Sequence, residues 1–175
     1  PPRLRRQRQM CIRDRLIAPQ KYFDMYPLDS IELVNILPGD KDDTFLHMVD
    51  QFETKKRRTR SVEMFENLMA SYENPLEGLK RFTQAYLACV SAVDDNVGKV
   101  ISAINNSSLK DNTIIILTSD HGWTLGEKDH IYKNSLWEES TRVPLIIRAP
   151  SISSPNSIVE PVSYTHLRAH ETLAD

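Results

Sequence analysis

The fold is decided by the stretch from Thr113 to Gly122, which reads TIIILTSDHG. Its first half is a continuous run of β-branched and apolar residues. Such a run predicts a strand buried on both faces, as in a parallel α/β sheet. Ligands of open α/β sheets bind outside the carboxyl ends of the strands, so Asp120 and His121 are placed to contact a ligand or a metal ion. The alternative is an Asx-type turn closed by Gly122, in which His121 is an ordinary loop residue.

The segment before this strand predicts the longest helix of the chain. Apolar residues recur in steps of three and four from Leu79 to Ile104, which indicates one buried stripe. Cys89 falls within the stripe, and we interpret it as a packed apolar residue rather than a nucleophile. Asp94 and Asp95 lie beside the stripe, and we interpret them as structural residues rather than as a metal-binding pair.

The residues around this helix complete an α/β order. Pro75 suits the first turn of the helix, and a polar run from Asn105 ends it. A short polar turn leads into the strand Thr113–Leu117. Val143–Ile147 predicts the next strand, with Pro144 near its start, where a lost hydrogen-bond donor matters least. Helix, turn and strand in this order are typical of the second half of a βαβ unit.

Shorter elements are predicted on the amino-terminal side of the long helix. Ser61 is a candidate N-cap for a short amphipathic helix that carries Met64 and Leu68 on its apolar face. Residues 42–52 are weakly periodic and predict another short helix. Little regular structure is expected from Pro19 to Lys41, because prolines and a Pro-Gly pair interrupt that segment.

The two ends of the chain differ from the sequence between them. Residues 5–14 read RRQRQMCIRD, and residues 162–172 read VSYTHLRAHET. Back-translated, both match a transposase recognition end joined to a sequencing adapter, in opposite orientations. We therefore predict that residues 1–15 and 162–175 are adapter-derived, disordered tails and that residues 16–161 are authentic coding sequence.

Charge and hydropathy exclude several classes of partner. The full chain carries a formal charge of −2, but residues 1–15 hold six Arg and one Asp, and residues 162–175 hold one Arg, one Glu and one Asp. Residues 16–161 therefore carry −6, which gives no case for a nucleic-acid-binding surface. No apolar run reaches the roughly 18 residues that a membrane-spanning helix needs. Cys89 is the one cysteine outside the predicted tails, so no disulfide is inferred.

Residues Asp120 to Leu145 carry a resemblance to a known family. After Gly122 the chain reads WTLGEKDHIYKNSLWEESTRVPLIIRAP. Together with the preceding Ser-Asp-His-Gly, this stretch resembles the sulfatase family, most closely its iduronate-2-sulfatase-like members. The resemblance implies an α/β fold, part of an alkaline-phosphatase-like α/β/α sandwich. In it, residues 16–161 form the C-terminal half of a sulfatase catalytic domain with an incomplete sheet.

The same resemblance implies roles for individual residues. Asp120 and His121 match positions that bind calcium in sulfatases, and a carboxylate suits this hard cation. Imidazole is a softer donor than calcium prefers, so His121 is alternatively a contact to the substrate sulfate. Lys133 matches the lysine that holds the sulfate, and an ammonium is suited to an anionic oxygen in both ground and transition states. His130 is either a substrate contact or proton donor, or a loop histidine.

The family's remaining catalytic parts are not found in this sequence. The family nucleophile is a formylglycine made from Cys or Ser in a C/S-x-P/A-x-R segment, and neither Cys11 nor Cys89 lies in such a segment. The paired Asp residues that complete the metal site belong to the first strand of the family fold. We therefore expect the chain alone to be inactive and poorly folded, because its strands have unpaired edges.

Three functions are compatible with the resemblance. The first is a calcium-dependent sulfuric ester hydrolase that acts on sulfated sugars or polysaccharides in the periplasm, in a lysosome-like compartment or outside the cell. The second is a phosphodiesterase or phosphonate hydrolase of the same superfamily. The third is a non-catalytic relative. The identity of the upstream nucleophile distinguishes among them.

Overall fold

The structure is a computed structural model that describes residues 16–40, 42, 60–133, 135–152 and 157–158. The two predicted tails, and all but one residue of the predicted helix at 42–52, lie outside the described residues. In chain order the elements are α1 (Gln20–Phe23), a 3-10 turn (Leu28–Ser30), α2 (Arg60–Ala70), α3 (Pro75–Asn105), β1 (Ile115–Thr118), β2 (Thr124–Leu125), a 3-10 turn (Glu127–Asp129), β3 (Ile131–Tyr132), α4 (Glu138–Thr141) and β4 (Leu145–Arg148).

Helix α3 is the scaffold on which α1 and α2 pack. The Asn74 side chain accepts a hydrogen bond from the Leu76 amide at 3.1 Å and so caps the start of the helix. The helix runs from Pro75 to Asn105, which confirms the predicted bounds. Cys89 is buried, as predicted, and burial raises the pKa of its thiol. It is therefore a packed residue with little thiolate at neutral pH.

Two small apolar clusters line α3. In the first, Leu79 packs with Phe65 of α2 and Ile131 of β3. In the second, Ala88 and Ala92 pack with Tyr22 of α1. These contacts place the loop that contains β2 and β3 against the amino-terminal half of the long helix.

Asp95 fastens the amino-terminal segment to α3. Its carboxylate accepts a hydrogen bond from the Tyr22 hydroxyl at 2.6 Å and lies 3.1 Å from Lys99 Nζ and 3.5 Å from Lys21 Nζ. The Tyr22 hydrogen bond and then the Lys99 hydrogen bond lower the pKa of Asp95 to about 2. Asp95 thus has the structural role that the sequence predicted.

One prediction for the shorter elements is wrong. Ser61 is buried inside α2, which begins at Arg60, so it does not cap this helix. The described part of the segment from Pro19 to Lys41 has little regular structure, as predicted, with one helical turn and one 3-10 turn. Local backbone hydrogen bonds close these turns directly after Pro19 and Pro27, whose fixed φ angles favour the first position of a turn.

Strand β1 forms where the apolar run predicted it, but its partner runs antiparallel. Ile115 pairs with Arg148 of β4, and Thr118 pairs with Leu145. The parallel arrangement that the apolar run suggested is not seen in this pair, because an apolar run indicates a covered strand and not its direction. The chain turns back between the two strands, so the amino-terminal end of β4 lies beside the site at the end of β1.

The β1–β4 pair is exposed, which differs from the predicted burial on both faces. Ile116 is 60% exposed, and Ile147, its partner across the pair, is 52% exposed. Val93 and Val100 of α3 are exposed as well. Apolar surfaces of this extent are usually covered by another part of the fold. The sheet is incomplete, as predicted.

Within the described ranges, no helix combines the length and apolarity needed to cross a bilayer.

Candidate active site

The turn that follows β1 carries the two predicted metal ligands. The Ser119 hydroxyl donates to the His121 carbonyl oxygen at 2.8 Å and holds the turn in shape. The Asp120 side chain is 65% exposed, and its Oδ1 lies 3.5 Å from His121 Nε2. The structure therefore brings the carboxylate and the imidazole together at the end of the strand, where the sequence placed them.

The His121 ring has the hydrogen-bonding pattern of a metal ligand. Its Nδ1 lies 2.7 Å from the Gly122 carbonyl oxygen, and a carbonyl only accepts, so Nδ1 carries the hydrogen of the neutral ring. Nε2 therefore holds the lone pair. This atom is buried and has no hydrogen-bond partner among the described residues. An Nδ1–H bonded to a backbone carbonyl with a bare Nε2 is the arrangement that orients histidine toward a cation.

Helix α4 holds this turn in place through the backbone. The amides of Gly122 and Trp123 donate to the carbonyl oxygens of Ser140 and Glu139, both at 2.7 Å. The approach is so close that a Cβ at position 122 would overlap the Glu139 carbonyl oxygen. Glycine is therefore required here by the approach of another backbone segment. The need for glycine thus comes from packing, and the Asx-type turn that the sequence offered as an alternative stays untested.

An aromatic group supports the site from the side of α3. The Trp123 ring stacks on Tyr86 with centroids 5.8 Å apart and meets the edge of Tyr132 at 5.1 Å. The His121 ring lies nearly parallel to the Trp123 ring, with centroids 6.2 Å apart. Burial raises the pKa of Tyr86. Trp123 is thus a packing residue, and Tyr86 connects the site to the scaffold helix.

The loop from Gly126 to Lys133 has an unusual backbone. Lys128, Asp129 and Tyr132 have φ angles of 55°, 54° and 75°, in the left-handed region that residues with a side chain rarely adopt. Lys128 Nζ donates to the Asp40 carbonyl oxygen at 2.8 Å and to Asp40 Oδ1 at 2.9 Å, which ties the loop to the amino-terminal segment. Strained backbone of this kind clusters at functional sites.

The two predicted catalytic residues lie at the end of this loop. Lys133 directly follows the left-handed Tyr132 and is half-buried, and its carbonyl oxygen accepts from the Ser135 amide at 2.9 Å. His130 is only 5% exposed. Its Nδ1 lies 3.1 Å from Thr124 Oγ1, and the edge of its ring meets Trp137 at a centroid distance of 5.4 Å. His130 is therefore a buried histidine held by side-chain contacts, and its role as a substrate contact or proton donor stays a prediction.

The described residues supply only part of a metal site. No group of three or more His, Cys, Asp or Glu side chains able to hold a metal ion occurs within the described ranges. Asp120 and His121 fit a cation as two ligands of a larger set, because an oxygen donor and a bare imidazole nitrogen converge there. Local sequence patterns carry no signal for Thr124 or Lys128. The role of Thr124 depends on how β2 pairs with β3, and that of Lys128 on a left-handed backbone and on its contact to Asp40.

Comparison with known proteins identifies the family of the chain. The sulfatase family model matches residues 23–174. The chain is 40% identical over 147 residues to a sulfatase from Formosa agariphila, covering 84% of this chain and 27% of that protein. It is 35% identical over 138 residues to the iduronate 2-sulfatase of Mus musculus, covering 78% of this chain and 24% of that protein.

Among solved structures, the chain is similar to the phosphonate monoester hydrolase from Silicibacter pomeroyi. The TM-score is 0.61 at 31% sequence identity, and the match covers 78% of this chain and 26% of that one. This likeness confirms the predicted fold class, an alkaline-phosphatase-like α/β fold with an incomplete sheet. The chain spans about a quarter of the length of the relatives it matches.

The fold and the site together define a class: α/β proteins with an acidic side chain and an imidazole at the end of a strand. Within that class, the chain belongs to the sulfatase family.

Proposed function

We propose that this chain forms part of the metal- and sulfate-binding site of a sulfuric ester hydrolase that acts on sulfated sugars or polysaccharides. The observation that carries the proposal is the pair formed by Asp120 and His121. Their Oδ1 and Nε2 atoms lie 3.5 Å apart, and the histidine nitrogen is buried with no hydrogen-bond partner among the described residues. Membership of the sulfatase family supports the reaction type.

Calcium is the proposed cation, and it would neutralise charge on the sulfuryl oxygens. Asp120 provides a hard oxygen ligand, and His121 provides either a further ligand or a contact to the sulfate. Lys133 provides an ammonium for the sulfate oxygens, which stabilises the charge that develops on them. His130 exchanges the proton of the leaving alcohol. The nucleophile, a formylglycine, and the remaining metal ligands are proposed to come from residues outside this chain.

A phosphonate or phosphate ester hydrolase is the second candidate. The likeness to a solved phosphonate monoester hydrolase supports it, because both reactions move a compact tetrahedral anion past similar cationic groups. The sulfatase function is the stronger of the two, because sulfatases from Formosa agariphila and Mus musculus share more sequence identity with the chain.

A chimera tests the proposal. Residues 16–152 of this chain replace the matching segment of the Formosa agariphila sulfatase, and release of inorganic sulfate or phosphonate is measured from aryl esters and from sulfated monosaccharides. We expect sulfate release by the chimera, its loss after chelation, and recovery with Ca²⁺. The unfused 175-residue chain is expected to release none.

Asp120→Asn and His121→Ala remove the two proposed ligands, and Asp111→Asn is the matched control on an exposed turn. We expect the first two variants to need far more Ca²⁺ for half-maximal activity and the control to match the unsubstituted chimera. Preferential hydrolysis of the phosphonate ester would favour the second candidate. An active chimera whose calcium requirement is unchanged by Asp120→Asn would contradict the proposed metal site.

A further inference from the structure

Thr124 is a fully buried residue. Its hydroxyl contacts the ring of His130 and the carbonyl group of Tyr132, the residue before Lys133. Thr124 lies opposite Tyr132 in the β2–β3 pair. Its hydroxyl oxygen is 2.6 Å from the Tyr132 carbonyl oxygen and 3.1 Å from His130 Nδ1. A threonine hydroxyl has one hydrogen to donate and lone pairs to accept with, so the two contacts cannot use it in the same way.

The chemistry of the two partners assigns these roles. The Tyr132 carbonyl oxygen only accepts, so the hydroxyl hydrogen points to it. His130 Nδ1 then donates to the hydroxyl oxygen, which places the hydrogen of the neutral imidazole on Nδ1. The lone pair of the neutral ring is therefore on Nε2, and Nε2 is the nitrogen that takes up and returns a proton.

The second contact acts on the backbone that leads to Lys133. Tyr132 has a φ angle of 75°, which is unfavourable for an aromatic residue and persists only when its surroundings hold it. The Thr124 hydroxyl bonds to the carbonyl group between Tyr132 and Lys133 and so opposes rotation of that peptide. The direction in which Lys133 leaves the strand depends on this peptide.

We propose that Thr124 is a positioning residue: its single hydroxyl fixes the Nδ1–H tautomer of His130 and holds the left-handed Tyr132 peptide that leads to Lys133. The significance of these two effects for catalysis rests on the function proposed above. The geometric claim itself stands on the buried hydroxyl and its two partners.

Nuclear magnetic resonance of the chimera, labelled with ¹⁵N at histidine and tyrosine, tests the claim. Thr124→Val removes the hydroxyl at nearly constant shape, and Thr124→Ser keeps it. Thr83→Val is the matched control, because the Thr83 hydroxyl is also buried but has no hydrogen-bond partner among the described residues. The His130 ring signals are assigned by their loss in His130→Gln.

We expect an Nδ1–H signature for His130 in the parent chimera, in Thr124→Ser and in Thr83→Val, and its loss in Thr124→Val. The strong intraresidue amide-to-Hα contact of a left-handed Tyr132 should follow the same pattern. An Nε2–H signature in the parent, persistence of the Nδ1–H signature in Thr124→Val, or equal changes in Thr83→Val would each overturn the proposal. A chimera that releases no sulfate would count against the proposed function and leave this measurement unaffected.

Discussion

The amide nitrogen of Gly122 donates a hydrogen bond to the carbonyl oxygen of Ser140 at 2.7 Å. This bond, with the neighbouring one from Trp123 to Glu139, fastens the turn that carries Asp120 and His121 to helix α4. The Trp-Glu-Glu-Ser-Thr stretch is therefore a backbone support for the site. Its acidic side chains are exposed and do not take part in these bonds.

Gly122→Ala should destabilise the fold by about 1–3 kcal/mol, because the new methyl group would overlap the Glu139 carbonyl oxygen and force two backbone segments apart. Gly98→Ala is the control. Gly98 lies on the exposed face of α3, and no atom beyond its own stretch of helix backbone lies within 4 Å of the place that a methyl group would take. The alanine should stabilise the helix by about 0.5–1 kcal/mol. Chemical denaturation of the chimera carrying either substitution measures the difference. Unchanged or increased stability of Gly122→Ala would contradict the close approach at position 122.

Tyr22→Phe should raise the pKa of Asp95, because the Tyr22 hydroxyl is the first cause of its lowering to about 2. The folded-state pKa lies below the ordinary carboxyl value of about 3.9, so Asp95 stabilises the fold above that value. This contribution is lost as the pH falls from about 4 toward 2, and Tyr22→Phe should shift the loss to higher pH. Carboxyl NMR titration measures the pKa. Tyr72→Phe, on an exposed tyrosine, should leave it unchanged.

Lys133→Ala in the chimera should lower kcat/KM for a sulfate ester by about 10²–10³, the usual loss when a group that stabilises transition-state charge is removed. Lys133→Arg should recover little, because a planar guanidinium does not replace a point charge at a fitted site. Lys110→Ala, on an exposed turn, is the control and should leave kcat/KM unchanged. An equal drop in kcat/KM for Lys110→Ala would show that the loss of any positive charge lowers activity, which would contradict a specific role for Lys133.

Cys89 should react slowly with thiol reagents, because it is buried and burial raises its pKa, so little thiolate is present. A Cys11→Ser variant leaves Cys89 as the one thiol to follow. Its reaction with a disulfide reagent at mildly alkaline pH should be slow in buffer and fast after denaturation. The same rate in both conditions would mean that Cys89 is not packed against its neighbours on α3.

Ile116→Lys should reduce self-association of the chain, because Ile116 faces solvent at the centre of the β1–β4 pair, opposite the exposed Ile147. Exposed apolar strands associate with one another, and a charge on the exposed face opposes this. Sedimentation velocity at several concentrations measures the change. Ile152→Lys, on an exposed residue outside the pair, should have no comparable effect. If Ile152→Lys reduced self-association equally, the cause would be the change in net charge and not the exposed surface of the strand pair.

Several features were predictable from local sequence patterns. The apolar spacing and Pro75 predicted the long helix, because periodicity and capping act within a few residues. The run before Thr118 predicted a strand, and the abrupt change to Ser-Asp-His-Gly predicted the position of the candidate site. The roles proposed for Asp120, His121, His130 and Lys133 came from a family resemblance, and they stay predictions.

Other features depend on contacts between distant segments. The antiparallel direction of β4 and the exposure of Ile116 follow from which strands are neighbours, and an apolar run carries no such information. The tautomers of His121 and His130 follow from contacts of shorter range, to the Gly122 carbonyl and the Thr124 hydroxyl. Sequence patterns did not reveal them, because the folded backbone sets the orientation of each ring.

The sequence by itself determined the helix, the strand and the place along the chain where acid, imidazole and ammonium groups occur, because short-range periodicity and residue chemistry fix these. Only the tertiary structure decided how those groups are held. Gly122 is fixed by α4, Trp123 by Tyr86, and the loop before Lys133 by Thr124. Each of these contacts joins residues whose proximity is set by packing, and hydrogen bonds and ring contacts form only once packing has brought the partners within a few ångströms.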